Sequence, residues 1–241
     1  MDSDNSLLSA VPGGSRHQPL PSNPLDRALT EDEALALLKT GDLSTDQIGQ
    51  ISKNSAVMQS RKVRLALAAH TRTTRRLALR LIRELYTFDL VQFARMPAAA
   101  ADLKRVADEL LISRLASITL GERISLARRS SATVAAVLLL DKEASVWQPA
   151  LENPRITEAA MIKALHRRGA TVAFVEAVCR HSKWSLRHEV RIALLRNPHT
   201  PLARAIAFAR HLPPPLLRDV LHTSRLPEKI KQYLRKELRA R

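Results

Sequence analysis

Residues 190–200 read VRIALLRNPHT, and residues 63–73 read VRLALAAHTRT. Val63 matches Val190, Arg64 matches Arg191, Ala66 matches Ala193 and Thr73 matches Thr200. A chain that repeats a phrase at such a distance is reusing a structural unit, and a reused unit of this size constrains the fold more than any composition does. With the branched residue as position zero, further copies begin at Ile124 and Val146. Seven residues on stand His70, Ser131, Asn153 and Asn197, all polar and able to end one helix or cap the next. Position three holds Ala66, Ala127 and Ala193, with Pro149 as the departure. Asn153-Pro154 and Asn197-Pro198 stop a helix, and Thr200-Pro201 has the form of a helix start. Each phrase therefore reads as a helix end, a tight corner and the start of a partner helix.

The copies stand 61, 22 and 44 residues apart, which points to a unit near 22 or a helix pair near 44, with a weaker copy from Val172 whose corner falls near Cys179 and Ser182. Helices occupy the rest. LTEDEALALLKTGD carries a capping box at Thr30 and Glu33 and a left-handed stop at Gly41, and Ser44 with Gln47 repeats the box. Leu77, Ala78, Leu81, Ile82 and Leu85 form one apolar stripe. The longest predicted helix follows Pro97, with Leu103, Val106, Leu110 and Leu111 on one face and Gly121 soon after its end. No period-two strand is present. Aromatics make up 3% of the chain, so the core must be built from Ala, Leu, Val and Ile, which let helices approach closely. The expected fold class is all-α. Residues 1–28, rich in Pro, Ser, Gly and Asn, are expected to be a disordered leader. Residues 29–60 are expected to be capping helices and 61–241 a helical-repeat domain ending in a basic capping helix, with Ile230, Tyr233, Leu234 and Leu238 on its inner side.

These phrases resemble the units of HEAT and armadillo repeat proteins, and the VR…NP.TP pattern is similar to leucine-rich-repeat-variant proteins. The resemblance covers roughly residues 45–230 and is degenerate, since only two copies carry Asn-Pro and only two carry Val-Arg. It implies a right-handed solenoid of antiparallel helix pairs. Such families share shape, and shape does not deliver function.

Charge narrows the partners. The net charge is +16, and it is uneven: residues 1–60 hold four Lys/Arg against eight Asp/Glu, a net of −4, and the remainder holds 35 against 15, a net of +20. Residues 61–83 contain eight Lys/Arg and no acid, among them Arg61, Lys62 and Arg64. Within that window Arg72, Arg76, Arg80 and Arg83 share a face if the helix reaches back to residue 72. Residues 179–218 hold eight more basic residues, including Arg187, Arg191 and Arg196, against Glu189 alone. In a solenoid, Arg64 and Arg191 would fall on one ladder of positive charge. These ten residues are the expected polyanion site: salt bridges within the two windows cannot consume the charge, and guanidinium groups pair well with phosphate. A solvated Arg-rich face is the plain alternative. With so few aromatics, backbone recognition of a duplex or structured RNA fits better than stacking on single strands.

Signs of catalysis are absent from the sequence. There is no phosphate-binding glycine loop, no HExxH and no nucleophile elbow, so no catalytic residue, metal or cofactor is expected. A single cysteine, Cys179, excludes an internal disulfide, suits a reducing compartment and is expected to be a packing residue. His181 and His188 lack a third ligand for a metal site. No secretory signal is legible, and the longest apolar run, residues 132–140, is too short to span a bilayer, which needs about 20 residues. The expected place is the cytoplasm, away from membrane. Three readings stand: a scaffold engaging a nucleic acid or acidic protein segment, an adaptor taking a peptide or helix in a groove, and a HEAT-like alkylpurine DNA glycosylase. The third would need aromatic walls and a carboxylate, for which the chain offers Trp147 and Trp184, with Asp141, Glu143 and Glu189 nearby in sequence.

Overall fold

Sixteen short helices account for the fold of the described residues, 29–239, which contain no strand. The leader expected over 1–28 lies outside them. The structure is a computed structural model. In chain order the helices are α1 (Glu31–Thr40), α2 (Thr45–Lys53), α3 (Ser55–Met58), α4 (Arg61–Ala69), α5 (Arg75–Glu84), α6 (Thr87–Arg95), α7 (Ala101–Arg114) and α8 (Leu120–Arg129). They continue with α9 (Ala132–Leu138), α10 (Ala144–Leu151), α11 (Glu158–His166), α12 (Val172–Arg180), α13 (His188–Arg196), α14 (Leu202–Arg210), α15 (Pro214–Thr223) and α16 (Glu228–Arg239).

Local chemistry sets the starts. Thr30 with Glu33 and Ser44 with Gln47 form reciprocal capping boxes, and Gly41 ends α1 at φ 76°. A third box, Thr119 with Glu122, starts α8. Gly121 therefore lies inside α8 rather than closing α7, which already ends at Arg114. At Thr200 the expectation also changes. Pro201 is the N-cap of α14, and the Thr200 hydroxyl turns back to donate to the Leu194 carbonyl at 2.6 Å, closing the preceding helix instead of opening the next.

Packing is between near neighbours. Adjacent helices pair, as α4 with α5, α6 with α7, α8 with α9 and α13 with α14, and each also meets the helix next but one: α8 lies on α10, α9 on α11, α11 on α13, α13 on α15 and α14 on α16. At the N-terminal end α1 and α3 pack on α4. One continuous apolar core runs through these contacts, from Leu29 to Leu234. In α5 the predicted stripe is the buried face, with Ala78, Leu81, Ile82 and Leu85 all at 2% exposure or less. In α16 Leu234 is buried, but Tyr233 points outward at 47% exposure and leaves the predicted inner side.

From α8 to α15, helices next but one start 24 to 30 residues apart, a spacing that is neither 22 nor 44. The copies at 146 and 190 sit on α10 and α13, which belong to alternate rows of the packing. The repeated phrase marks a helix end wherever one is needed; it does not mark the period.

What the corner residues do explains their chemistry. Asn153 is buried, donates through Nδ2 to the Ala127 carbonyl at the end of α8 at 2.8 Å, and accepts from the Arg155 amide at 2.9 Å. Asn197 does the same one step along, donating to Leu165 O of α11 at 2.7 Å and accepting from His199 N at 2.9 Å. Ser224 reaches Leu195 O of α13 at 2.6 Å, the Trp184 indole N–H reaches Leu151 O of α10 at 3.1 Å, and Arg114 reaches Leu85 O after α5 at 2.7 Å. In the copy from Val172 the corner falls at His181, between Cys179 and Ser182, and its Nδ1 accepts from the Lys183 amide. Asn153, Asn197, Ser224, Trp184 and Arg114 each satisfy a carbonyl that the end of another helix leaves without an intrahelical partner.

Two outcomes follow for stability. Asn197→Ala removes both hydrogen bonds and strands the buried Leu165 carbonyl, so unfolding should become easier by about 2 kcal/mol and the melting temperature should fall by about 6 °C. Arg187→Ala, whose side chain makes no such bond, should leave the melting temperature within about 1 °C in the same circular-dichroism experiment.

The second outcome concerns Asp108 of α7, which is 8% exposed with Oδ1 unpartnered. Burial pushes its carboxyl above the usual carboxylate range, against a hydrogen bond from Ser131 that acts the other way. A raised folded-state value favours the protonated form, so its benefit is complete below the unfolded value of about 4 and is lost as pH rises through the folded value. Asp108→Asn should therefore melt higher than the wild type near neutrality, and pH-dependent melts should show that gap closing on acidification.

Candidate polyanion-binding surface

The ten basic residues expected to form the site have separate fates. Arg61 makes a bidentate contact to Asp89 of α6, with Nη2 at 3.0 Å, and its guanidinium lies 4.7 Å over the Tyr86 ring. Lys62 pairs with Glu31 at 3.6 Å. Arg75, in the same window, pairs with Asp102 of α7 at 3.0 Å, and that contact holds the Asp102 carboxyl below the usual range. The acids come from outside the window, so the absence of acid within it did not leave all its charge free.

Arg64 and Arg191 are half-buried. The Nε of Arg64 is covered and unpartnered; that of Arg191 donates to the Ser185 carbonyl at 2.6 Å, with its guanidinium 5.9 Å over the Phe208 ring. They sit on α4 and α13, far apart in a packing where contact is limited to near neighbours, so the ladder expected between them does not form.

Arg72, Arg76, Arg80 and Arg83 are exposed. Arg72 lies in the turn before α5, because the helix begins at Arg75, and its amide donates to His70 Nδ1 at 3.1 Å. Arg76, Arg80 and Arg83 do share the outer face of α5, opposite Ala78, Leu81 and Ile82. Among the described residues none of the three has an acidic partner within 4 Å. Like charges at these spacings repel one another by a few tenths of a kcal/mol per pair. Arg187, at the N-cap of α13, is likewise exposed and unpaired.

Arg196 belongs to a second cluster that the sequence windows divided. It closes α13, is half-buried, and its Nε is covered without a partner. Around it a pocket of about 200 Å³ is lined by His166, Arg167 and Arg168 at the end of α11, His199 in the next corner and Arg225 after α15. No carboxylate lines the pocket. Burial lowers the basicity of His166, and the charges of Arg196 and Arg225 lower it further. The readable signal for this cluster is the 29-residue spacing of Arg167, Arg196 and Arg225, one repeat apart each time.

Of the residues proposed for other chemistry, the tryptophans are packed inside while Glu143 and Glu189 are exposed, and Trp147 also lines a pocket of about 570 Å³ with Arg128 and Glu152. Trp147 is 4% exposed and meets Phe174 edge-on at 5.8 Å, and Trp184 is 1% exposed. Of the carboxylates near them in sequence, Asp141 takes the Arg123 guanidinium at 2.7 Å. Cys179 is buried, and burial pushes its thiol up to about 11; it is a poor nucleophile. His181 Nε2 lies 3.0 Å from Glu152. Among the described residues no three His, Cys, Asp or Glu side chains gather as metal ligands, and no helix is long and apolar enough to cross a membrane. Comparisons with protein-family models, curated proteins and solved structures find no match. The functional reading rests on this chain's own surface.

Because the α5 charges repel, replacing Arg76, Arg80 and Arg83 together by Gln should raise the melting temperature slightly at low ionic strength. The gain should vanish at about 1 M salt, where the screening length falls to about 3 Å. Paired melts at the two salt concentrations read this directly.

Proposed function

We propose that the helices form an α-solenoid of the HEAT-like kind and that the protein is a non-catalytic binding module whose partner is a polyanion, a nucleic-acid backbone ahead of an acidic protein segment. The observation that carries this reading is the outer face of α5, where Arg76, Arg80 and Arg83 stand exposed without an acidic partner among the described residues. Elsewhere on the surface, cations with an acid in reach take it, as Arg61, Arg75 and Arg210 do at 3.0 Å. Glu84 is the one acid of α5 and lies beside them without pairing within 4 Å, so three cations face a single carboxylate there. Guanidinium groups at helical spacing supply bidentate donors along a line, which suits successive phosphates. Exposed aromatics are few, so stacking contributes little, and the contact is to the backbone of a duplex or structured RNA.

Trp184 is buried, and Trp147, although it lines a pocket with Glu152 and Arg128, is only 4% exposed, so neither offers the broad aromatic wall a glycosylase needs. The adaptor reading is separated by salt. Binding through phosphates weakens steeply with ionic strength, by a slope of about 0.9 per phosphate neutralised, whereas an apolar groove is salt-tolerant.

Fluorescence polarisation with labelled duplex DNA and structured RNA, across a salt series, tests the proposal. Saturable binding near physiological salt is expected, and it should fall by at least about tenfold when Arg72, Arg76, Arg80 and Arg83 become Glu. Binding that is absent, or indifferent to those substitutions, would sink it and turn attention to protein partners.

A further inference from the structure

Along one edge of the packing, three successive helices of the same row, α11, α13 and α15, end beside one another. Hydrogen bonds register the ends: Asn197 donates to Leu165 O at 2.7 Å, Ser224 to Leu195 O at 2.6 Å, and the Arg225 amide to Arg196 O at 3.1 Å. This register brings Arg167, Arg196 and Arg225 to a common pocket together with His166, Arg168 and His199.

Charge at this edge departs from the pattern elsewhere. Side chains one repeat apart are generally paired with the opposite sign: Arg61 with Asp89, Arg75 with Asp102, and Arg210 with Glu237, separated by 28, 27 and 27 residues. At Arg167, Arg196 and Arg225 the residue one repeat away is another arginine, and none of the three has a carboxylate within 4 Å among the described residues. Arg196 is half-buried with its Nε covered and unpartnered, so its charge is held partly out of water with nothing to offset it. A cationic group in that position is expensive until an anion arrives.

We infer that this pocket is a phosphate site, and that it seats one phosphate of a nucleic-acid strand. The phosphate site stands on its own geometry; the strand as its carrier rests on the function proposed above. Several guanidinium donors around a small pocket suit the several acceptor oxygens of one phosphate better than a single carboxylate. The depressed basicity of His166 agrees, since the field that disfavours its proton is the field that favours an anion.

The test uses the full chain and inorganic phosphate as the first probe. At matched ionic strength, millimolar phosphate in place of chloride should raise the melting temperature by about 3 °C, and Arg196→Gln should abolish the shift. Arg225→Gln and Arg168→Gln, both at exposed positions, should abolish or halve it without disturbing the fold, while Arg80→Gln on α5 should keep it. A shift no larger in phosphate than in chloride, or one that survives Arg225→Gln and Arg168→Gln, overturns the site. The second probe is a DNA hairpin: Arg225→Gln should weaken its binding about fivefold and lower the salt slope by about one phosphate contact. Hairpin binding unaffected by Arg225→Gln would overturn the strand as the carrier and leave the general reading intact. A phosphate shift that depends on Arg225, in a protein that binds no nucleic acid, would overturn the general reading and leave the site intact. Tighter Arg225-dependent binding of a phosphoserine peptide than of the hairpin would overturn the strand as the carrier.

Discussion

The ends of short helices impose the main constraint on this molecule. Its helices run from four to fourteen residues, and each terminus leaves up to four carbonyls or amides without an intrahelical partner. A fold with so many helix ends in so few residues must find partners for them inside the packing, where water does not reach. It finds them by extending a side chain from one corner to the end of the neighbouring helix in the same row. Asn153, Trp184, Asn197 and Ser224 all do this, each onto a carbonyl of the helix next but one or the one beside it in that row. The apolar core supplies the bulk of the stability, but it is non-directional and tolerates sliding. The corner hydrogen bonds fix the register between helices, and the register decides which surface residues become neighbours.

Surface charge inherits that register. Because rows repeat every 24 to 30 residues, a cation and an acid about 28 positions apart meet across two stacked helices, and Arg61–Asp89, Arg75–Asp102 and Arg210–Glu237 are such pairs. Individually an exposed pair contributes at most about 1 kcal/mol. Their value lies in showing what the repeat does by default. Against that default the edge holding Arg167, Arg196 and Arg225 is inverted in sign, and the outer face of α5 has no acid opposite Arg76, Arg80 or Arg83.

Much of the local structure was legible in the residues themselves. Thr30 with Glu33, Ser44 with Gln47, Gly41 and the stripe from Leu77 to Leu85 each act through neighbours four residues away or closer within one helix, so spacing alone revealed them. The period was not legible from the repeated phrase, because one task, donating to a carbonyl of the next helix in the same row, is done by Asn, Ser, Trp and Arg in different corners. Chemistry so varied leaves no motif. The site was legible as an excess of charge and opaque as an arrangement. Arg61 and Arg191 look as free as Arg80 in the sequence, yet Asp89 and the Ser185 carbonyl occupy them. Distant partners decide which cations are spent. The clue that was available, arginine recurring every 29 residues, becomes meaningful only once the row spacing is known.

The use made of the tryptophans bears on function through the same logic. Trp184 closes the end of α10 with its indole N–H, and Trp147 fills the space against Phe174. Both are committed to holding rows together, so the proposed recognition rests on the surface guanidinium groups. A folded monomer gains nothing from three arginines repelling one another along α5, nor from three more converging on a pocket without an acid; stability alone favours replacing any of them. Their arrangement becomes favourable when an anion with several oxygens lies against it, since each added phosphate contact both removes repulsion and releases counterions. The two clusters are carried by one continuous packing of helix ends. On the function proposed above, a polyanion held at one of them would be oriented with respect to the other by the spacing of the corners.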